Sequence, residues 1–126
     1  MIRTLFAIAL LVGTAFASNV IPPGSTTTTL TVAWVPPTKN VDGSAITGTL
    51  TYNAYWGTSC VVPLTSKMNT TPIAGTSYLV TNAGPGFKCF AVTAVVNGVE
   101  SAQSAMARTT VTAATIPNPP SQISVN

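Results

Sequence analysis

The chain has 126 residues, of which 46% are hydrophobic and only 6% are charged, and it contains no histidine. Five basic and two acidic residues give a net charge of +3, with the basic residues scattered along the chain. Domains that bind nucleic acid carry a basic stripe or patch, so this distribution argues against a nucleic-acid partner. Threonine, serine and asparagine supply the polarity, and because threonine favours half-buried strands the composition predicts an all-β domain.

Residues 1–17 have the three parts of a secretory signal peptide. Arg3 gives a positive start, Leu5 begins an apolar run, and Ala15-Phe16-Ala17 is a small-residue cleavage pattern. The apolar run is shorter than the about 20 residues that a spanning helix needs. We therefore predict a secreted protein, located outside the cell, in a periplasm or on a virion surface, with no membrane span after cleavage. An uncleaved anchor or a buried N-terminal helix is the alternative.

The first clear strand covers residues 30–34. Its alternation places Leu30, Val32 and Trp34 on one face, and we expect Trp34 in the core. Proline cannot donate to a strand ladder, so the strand ends before Pro36.

The second strand is predicted over residues 50–56, after a loop rich in turn-forming residues. Tyr52, Ala54 and Trp56 share one face, where we expect Trp56 to pack in the core or on the sheet. Tyr55 lies on the opposite face. An exposed tyrosine suits contact with a protein or a sugar, because it joins an apolar ring to a polar tip.

The rest of the chain predicts further short strands separated by turns, a spacing that is typical of an all-β sandwich or barrel. Its strongest hairpin signal is the dipeptide Asn97-Gly98. The other predictions are an apolar edge segment at 61–62, a loop at 67–71, a turn at 82–86, and strands at 77–80, 87–96 and 108–112.

Four segments in order carry a resemblance to a known family. They are Trp34 to Thr38 with Asp42-Gly43-Ser44, Tyr52 to Gly57, Phe90 to Ala94 after Gly86, and Glu100-Ser101 with Ser104. These segments resemble fibronectin type III domains, above all bacterial and phage-encoded ones. The resemblance implies an immunoglobulin-like β-sandwich of about seven strands over residues 18–112. The tyrosine that usually opens the sixth strand of the family is missing, and Lys88-Cys89 stands there.

Cys60 and Cys89 are the only cysteines of the chain. Oxidising compartments favour pairing, so we predict a disulfide between them, with two buried free thiols as the alternative. Such a bond could replace the missing tyrosine as a tether. A structural zinc site needs four ligands, which this histidine-free chain does not offer, so we expect neither a metal nor a cofactor.

The chain offers few groups for catalysis, and we predict that it is not an enzyme. Histidine, the commonest general base, is absent. The two acids, Asp42 and Glu100, follow different turns, although the resemblance implies that both loops lie at the same end of the sandwich. A carboxylate pair or a calcium site is therefore an alternative, but calcium needs more oxygen ligands than two acids provide.

These exclusions favour a secreted or surface-exposed recognition or adhesion module that binds a protein or a carbohydrate. The alternative is a structural protein, such as a phage virion decoration or a cell-surface spacer. Asn69-Thr70-Thr71 also fits a glycosylation sequon, which matters only in a eukaryotic secretory pathway. The candidate binding residues are Asn40, Asp42, Tyr55, Asn97 and Glu100.

Residues 113–126 form a Pro-rich C-terminal tail. The tail resembles the linker and first strand of a further domain, with Ile123 and Val125 alternating with polar residues. Chain ends are usually loose, so a frayed tail is the simpler expectation. Pairing of the tail with a sheet edge, in the same chain or in a neighbouring copy, is the alternative and implies self-association.

Overall fold

The computed structural model describes residues 19–126, so the predicted signal peptide lies outside the described residues. Within this range the chain forms strands and no helix, and therefore no helix that is long and apolar enough to cross a membrane. The strands are β1 (Val20–Ile21), β2 (Thr28–Ala33), β3 (Thr51–Gly57), β4 (Ser66–Lys67), β5 (Ser77–Ala83), β6 (Gly86–Val96), β7 (Val99–Glu100) and β8 (Ala107–Ala113).

The strands form two sheets. The larger sheet has the order β1-β8-β6-β3-β4, with β7 paired to β6, and the smaller sheet consists of β2 and β5. β1 runs parallel to β8, and the other pairs are antiparallel. The all-β prediction is confirmed. The number of strands is eight rather than about seven, and three of them are only two residues long.

The core lies between the two sheets and is built from alternate residues of β2, β3 and β6. Leu30 and Val32 are 0% and 2% exposed, and Trp34 follows them into the core. The Trp34 ring lies 5.2 Å from the Tyr52 ring, measured between centroids. The predicted buried face of the first strand is thus confirmed. Burial of a large apolar side chain contributes about 1.5–3 kcal/mol relative to exposure, so this face is a main source of stability.

β5 extends three residues beyond its predicted end, into the segment where a turn was expected. Ala83 pairs with Thr28 and is buried, so pairing with β2 outweighs the local turn signal of Asn82. A register shift between Thr28 and Leu30 accommodates the extra length. The predicted turn at 82–86 is therefore wrong for residues 82 and 83, which belong to β5.

The segment after β3 also differs from the prediction. Val61 and Val62 form no strand and are 68% and 73% exposed. Strand pairing begins instead at Ser66 and Lys67, which pair with the end of β3. The edge segment is displaced because Pro63 lacks the N–H that a strand needs there. The loop predicted at 67–71 therefore starts one residue too early, because Lys67 belongs to β4.

The hairpin prediction at Asn97-Gly98 is confirmed. The two residues connect β6 to β7, and their φ angles are 52° and 77°. A two-residue hairpin turn of this kind needs positive φ at both positions, which Asn and Gly adopt most easily.

The predicted disulfide between Cys60 and Cys89 is confirmed, with a Cα–Cα distance of 5.7 Å. It ties the loop after β3 to β6 on the outer face of the larger sheet. Cys89 is fully buried there and shares a second, smaller apolar cluster with Leu64 and Ala91. The bond therefore provides a covalent tether at the start of β6.

Removing the disulfide should weaken the domain without changing its fold. The bond joins positions 29 residues apart, and closing a loop of that length stabilises a protein by about 3 kcal/mol. We expect the double variant C60S/C89S to lose about this much free energy of unfolding in urea titrations. The wild type under reducing conditions should match the variant. A variant as stable as the oxidised wild type would contradict the tethering role.

Candidate functional site

The structure brings two of the predicted binding residues together on the outer face of the larger sheet. The Tyr55 hydroxyl donates to Glu100 Oε1 at 2.6 Å, and the Thr93 hydroxyl donates to the same oxygen at 2.6 Å. The Asn53 amide donates to it as well, at 3.2 Å. We call Asn53, Tyr55, Thr93 and Glu100 the carboxylate cluster. Its three donors converge on one oxygen, so the cluster is internally satisfied.

Charge and burial fix the protonation of the carboxylate cluster. Burial raises the pKa of Glu100, but hydrogen bonds from Thr93, Tyr55 and Asn53 and the charge of Lys67 outweigh it and leave the pKa below its ordinary value. Burial, followed by the bond to Glu100 and its charge, raises the pKa of Tyr55 to about 12. Near neutral pH the carboxylate is ionised and the phenol is neutral, so the hydroxyl can donate to the carboxylate.

Asn40 and Asp42 lie in the loop between β2 and β3 and bond within that loop. Asp42 Oδ1 accepts hydrogen bonds from the hydroxyl and the backbone N–H of Ser44, and these bonds hold the pKa of Asp42 below its ordinary value. The Asn40 amide donates to Ser44 Oγ at 2.9 Å and to the Ala45 carbonyl at 3.1 Å. These contacts give both side chains a role in shaping the loop.

The five predicted binding residues do not share one hydrogen-bond network. The Asn97 amide donates to the Thr47 carbonyl at 3.3 Å, which joins the hairpin turn to the loop that carries Asn40 and Asp42. Glu100 instead contacts the sheet face, and its hydrogen-bond partners differ from those of Asp42. Among the described residues, no group of three or more His, Cys, Asp or Glu side chains could hold a metal ion.

Asn69 has a structural role that the sequence did not reveal. It is 6% exposed, and its Oδ1 accepts the Ala54 N–H at 2.9 Å. Its Nδ2 donates to Asn53 Oδ1 at 2.9 Å and to the Thr71 carbonyl at 3.0 Å. The nitrogen that a glycan would need is therefore buried and already bonded. The sequon pattern alone cannot distinguish such a buried amide from a surface one.

A groove of about 390 Å³ opens between β5 and the end of the larger sheet. One wall is the run of β5 from Tyr78 to Ala83, continued by Gly84. We call this site the β5 groove. The side chains that define its opposite wall and floor are Trp56, Met68, Lys88 and Phe90.

Trp56 is the most exposed aromatic residue of the groove. It lies on the core-facing side of β3 but is 38% exposed, so of the two expected positions, in the core or on the sheet, the core is ruled out. The reason is its position at the end of β3, where the groove separates it from β5. The Lys88 ammonium lies 5.9 Å from the centroid of the indole ring and also donates to the Pro85 carbonyl at 3.4 Å. The groove thus combines an accessible indole with a cation.

The edge of β5 that faces away from β2 is open among the residues that the structure describes, because β2 is its one strand neighbour there. The backbone N–H of Trp34 donates to the Thr76 carbonyl at 3.0 Å. In an antiparallel ladder the bonded positions alternate, so the backbone groups of Ser77 and Leu79 point away from β2. β5 contains neither a charge nor a proline, the residues that usually protect an edge strand.

Comparison with known proteins agrees with this architecture. No protein-family model and no curated protein matches the chain. An Fn3-like protein from Clostridium thermocellum is 21% identical with a TM-score of 0.53, and the match covers 93% of this chain and 100% of that one. A fibronectin type III domain derived from the human KIAA0970 protein is 16% identical with a TM-score of 0.60, covering 98% and 86%.

A third solved structure is the fibronectin type III domain of human fibronectin type III domain containing protein 3. It is 14% identical with a TM-score of 0.52, and the match covers 89% of this chain and 88% of that one. At these identities the likeness establishes the fold. The chain has the fibronectin type III fold, an immunoglobulin-like β-sandwich, as the sequence resemblance implied.

The carboxylate cluster predicts a pH-dependent contribution to stability. The pKa of Glu100 is lower in the folded state, so its charge stabilises the fold above the ordinary carboxyl pKa of 4.5, and this contribution is lost as the pH falls through the folded value. We expect Glu100→Gln to lower the free energy of unfolding at pH 7 by about 1–2 kcal/mol and to approach the wild type in acid.

The matched control is Asp42→Asn, which changes the other carboxylate of the described chain at an exposed turn. The Asp42 carboxylate accepts hydrogen bonds from one residue, Ser44, whereas three residues donate to Glu100, so we expect a smaller loss of stability at neutral pH. Urea titrations at neutral and acidic pH measure both variants. Equal stability of Glu100→Gln and the wild type at neutral pH would show that the cluster does not stabilise the fold.

Proposed function

We propose that the protein is a non-catalytic recognition module, displayed outside the cell, that binds a protein or carbohydrate partner in the β5 groove. The observation that carries this proposal is the exposed indole of Trp56 beside Lys88, at the mouth of a groove with an open strand edge. Ligand pockets typically measure about 300–1,000 Å³, and the groove falls in that range.

The chemistry of the groove is that of binding. An indole offers a flat apolar face with one hydrogen-bond donor, which suits both sugar rings and polypeptide side chains. Lys88 adds a positive charge for acidic or hydroxyl-rich ligands. The groove residues include no acid, histidine or cysteine, and the carboxylate cluster lies on the opposite face of the larger sheet. These features support recognition rather than catalysis.

The proposed location rests on two independent features. The disulfide between Cys60 and Cys89 is of a kind that persists in oxidising compartments. Residues 1–17 have the pattern of a signal peptide. Together they support display outside the cell, in a periplasm or on a virion.

A structural role is the second candidate function. The observation that favours it is the exposed apolar tail, in which Ile123 and Val125 are 91% and 92% exposed. Such side chains invite burial against another surface, as in an assembled virion or a cell-surface array.

Substitution of the indole tests the recognition role. We expect Trp56→Ala to weaken binding to glycan arrays or to extracellular proteins by about tenfold or more, since aromatic anchors dominate binding sites. The matched control is Phe87→Ala, which removes an exposed aromatic residue of β6 that does not line the groove. Equal losses in the two variants would contradict a groove-centred site, and release of cleaved glycan by the wild type would contradict a non-catalytic role.

A further inference from the structure

We propose that the β5 groove binds an extended β-strand, and that this strand is residues 122–126 of the tail of a second copy of the chain. The inference rests on the proposed binding role of the groove and names its partner. It draws on the open edge of β5, the shape of the groove beside that edge, and the exposed side chains of the tail.

The backbone of β5 supplies the hydrogen bonds. Ser77 and Leu79 direct their N–H and C=O groups to the open edge, as the alternation from the bonded pair Trp34 and Thr76 requires. An added strand bonds to such groups regardless of its side chains, which is how extended peptides join sheet edges in other domains. With no charge or proline on β5, nothing on the strand opposes this addition.

The groove supplies the side-chain pockets. Tyr78 and Val80 point from β5 toward the core and are half-buried, whereas Leu79 between them is exposed. A strand beside β5 would direct every second side chain to the same side as Tyr78 and Val80, which is the side of the groove. There the floor is Phe90, and Trp56 forms the wall. The groove therefore selects a strand with apolar residues at alternate positions.

The tail has this pattern. Ile123 and Val125 alternate with Gln122 and Ser124, and both are β-branched residues that favour strands. They are the two most exposed large hydrophobic residues of the described chain, at 91% and 92%. The sequence after Arg108 carries no charged side chain, so the strand brings no side-chain charge into the groove.

The tail does not occupy the groove of its own chain, since Ile123 and Val125 are 91% and 92% exposed. It leaves β8, which belongs to the larger sheet, whereas β5 belongs to the smaller one. The Ala114 N–H bonds to the Ile21 carbonyl at 3.1 Å, and the residues that follow form no strand. Pro117, Pro119 and Pro120 favour an extended, semi-rigid spacer rather than a chain that folds back. A neighbouring copy is therefore the partner that this geometry favours.

Pairing of this kind would build dimers by reciprocal exchange of tails, or longer chains by head-to-tail contacts. In a chain, each contact leaves one free groove and one free tail, because the groove and the tail are different surfaces of one copy. Head-to-tail growth then continues with concentration. The contact between tail and groove would thus be the contact that assembles the protein in the structural role, the second candidate function.

Sedimentation velocity across a range of concentrations tests the proposal on the full chain. We expect the wild type to form larger species as its concentration rises, and I123D/V125D to stay monomeric. The matched control Q122D/S124D adds the same two charges on the opposite side of the strand. We expect it to self-associate within a few-fold of the wild type. Trp56→Ala should weaken association, whereas Phe87→Ala should not.

A monomeric wild type at every concentration, or equal effects of the two double variants, would overturn the proposal. The recognition role has a separate readout, which is binding of glycans or extracellular proteins to monomeric I123D/V125D. If I123D/V125D binds such a ligand and the wild type is monomeric, the tail inference is wrong and the recognition role stands. If the chain assembles through its tail and monomeric I123D/V125D binds no glycan or extracellular protein, the tail inference is confirmed. The proposal that the groove binds a foreign partner is then rejected.

Discussion

One buried cluster holds the sandwich together. In it, Leu30, Val32 and Trp34, from β2 of the smaller sheet and the residue that follows it, pack with Phe90 and Val92 of the larger sheet. Because side chains alternate along a strand, burying one face of β3 and β6 sends their other side chains outward. The carboxylate cluster and the disulfide lie on that outer face. The β5 groove lies where the packed cluster ends, so both candidate surfaces depend on the same alternation.

The alternation of the sequence was sufficient to predict much of the fold. It located the buried face of β2, the long strand β6 and the Asn97-Gly98 hairpin, because each depends on residues that are neighbours in the chain. The errors occurred where distant pairing decided the outcome. Ala83 joined β5 through its partner on β2, and Lys67 joined β4 through β3, although the local sequence favoured turns and loops.

The candidate site was harder to predict from the sequence than the fold. Tyr55 and Glu100 were both proposed, but their contact arises from the pairing of β3 with β6 and of β6 with β7. The β5 groove was not predicted, because its existence depends on which strand edges the topology leaves open. The roles of Asn40, Asp42 and Asn97 in binding stay predictions, since their amide and carboxylate groups are seen bonding within the loops.

We propose that the open edge of β5 is a binding edge. Amide hydrogen exchange at Ser77 and Leu79 tests this most directly, because N–H groups at an open edge exchange freely until a strand covers them. We expect exchange at both residues to slow by about tenfold or more as the wild-type chain is concentrated, and to stay fast in I123D/V125D. Equal exchange rates in dilute and concentrated wild-type protein would contradict it.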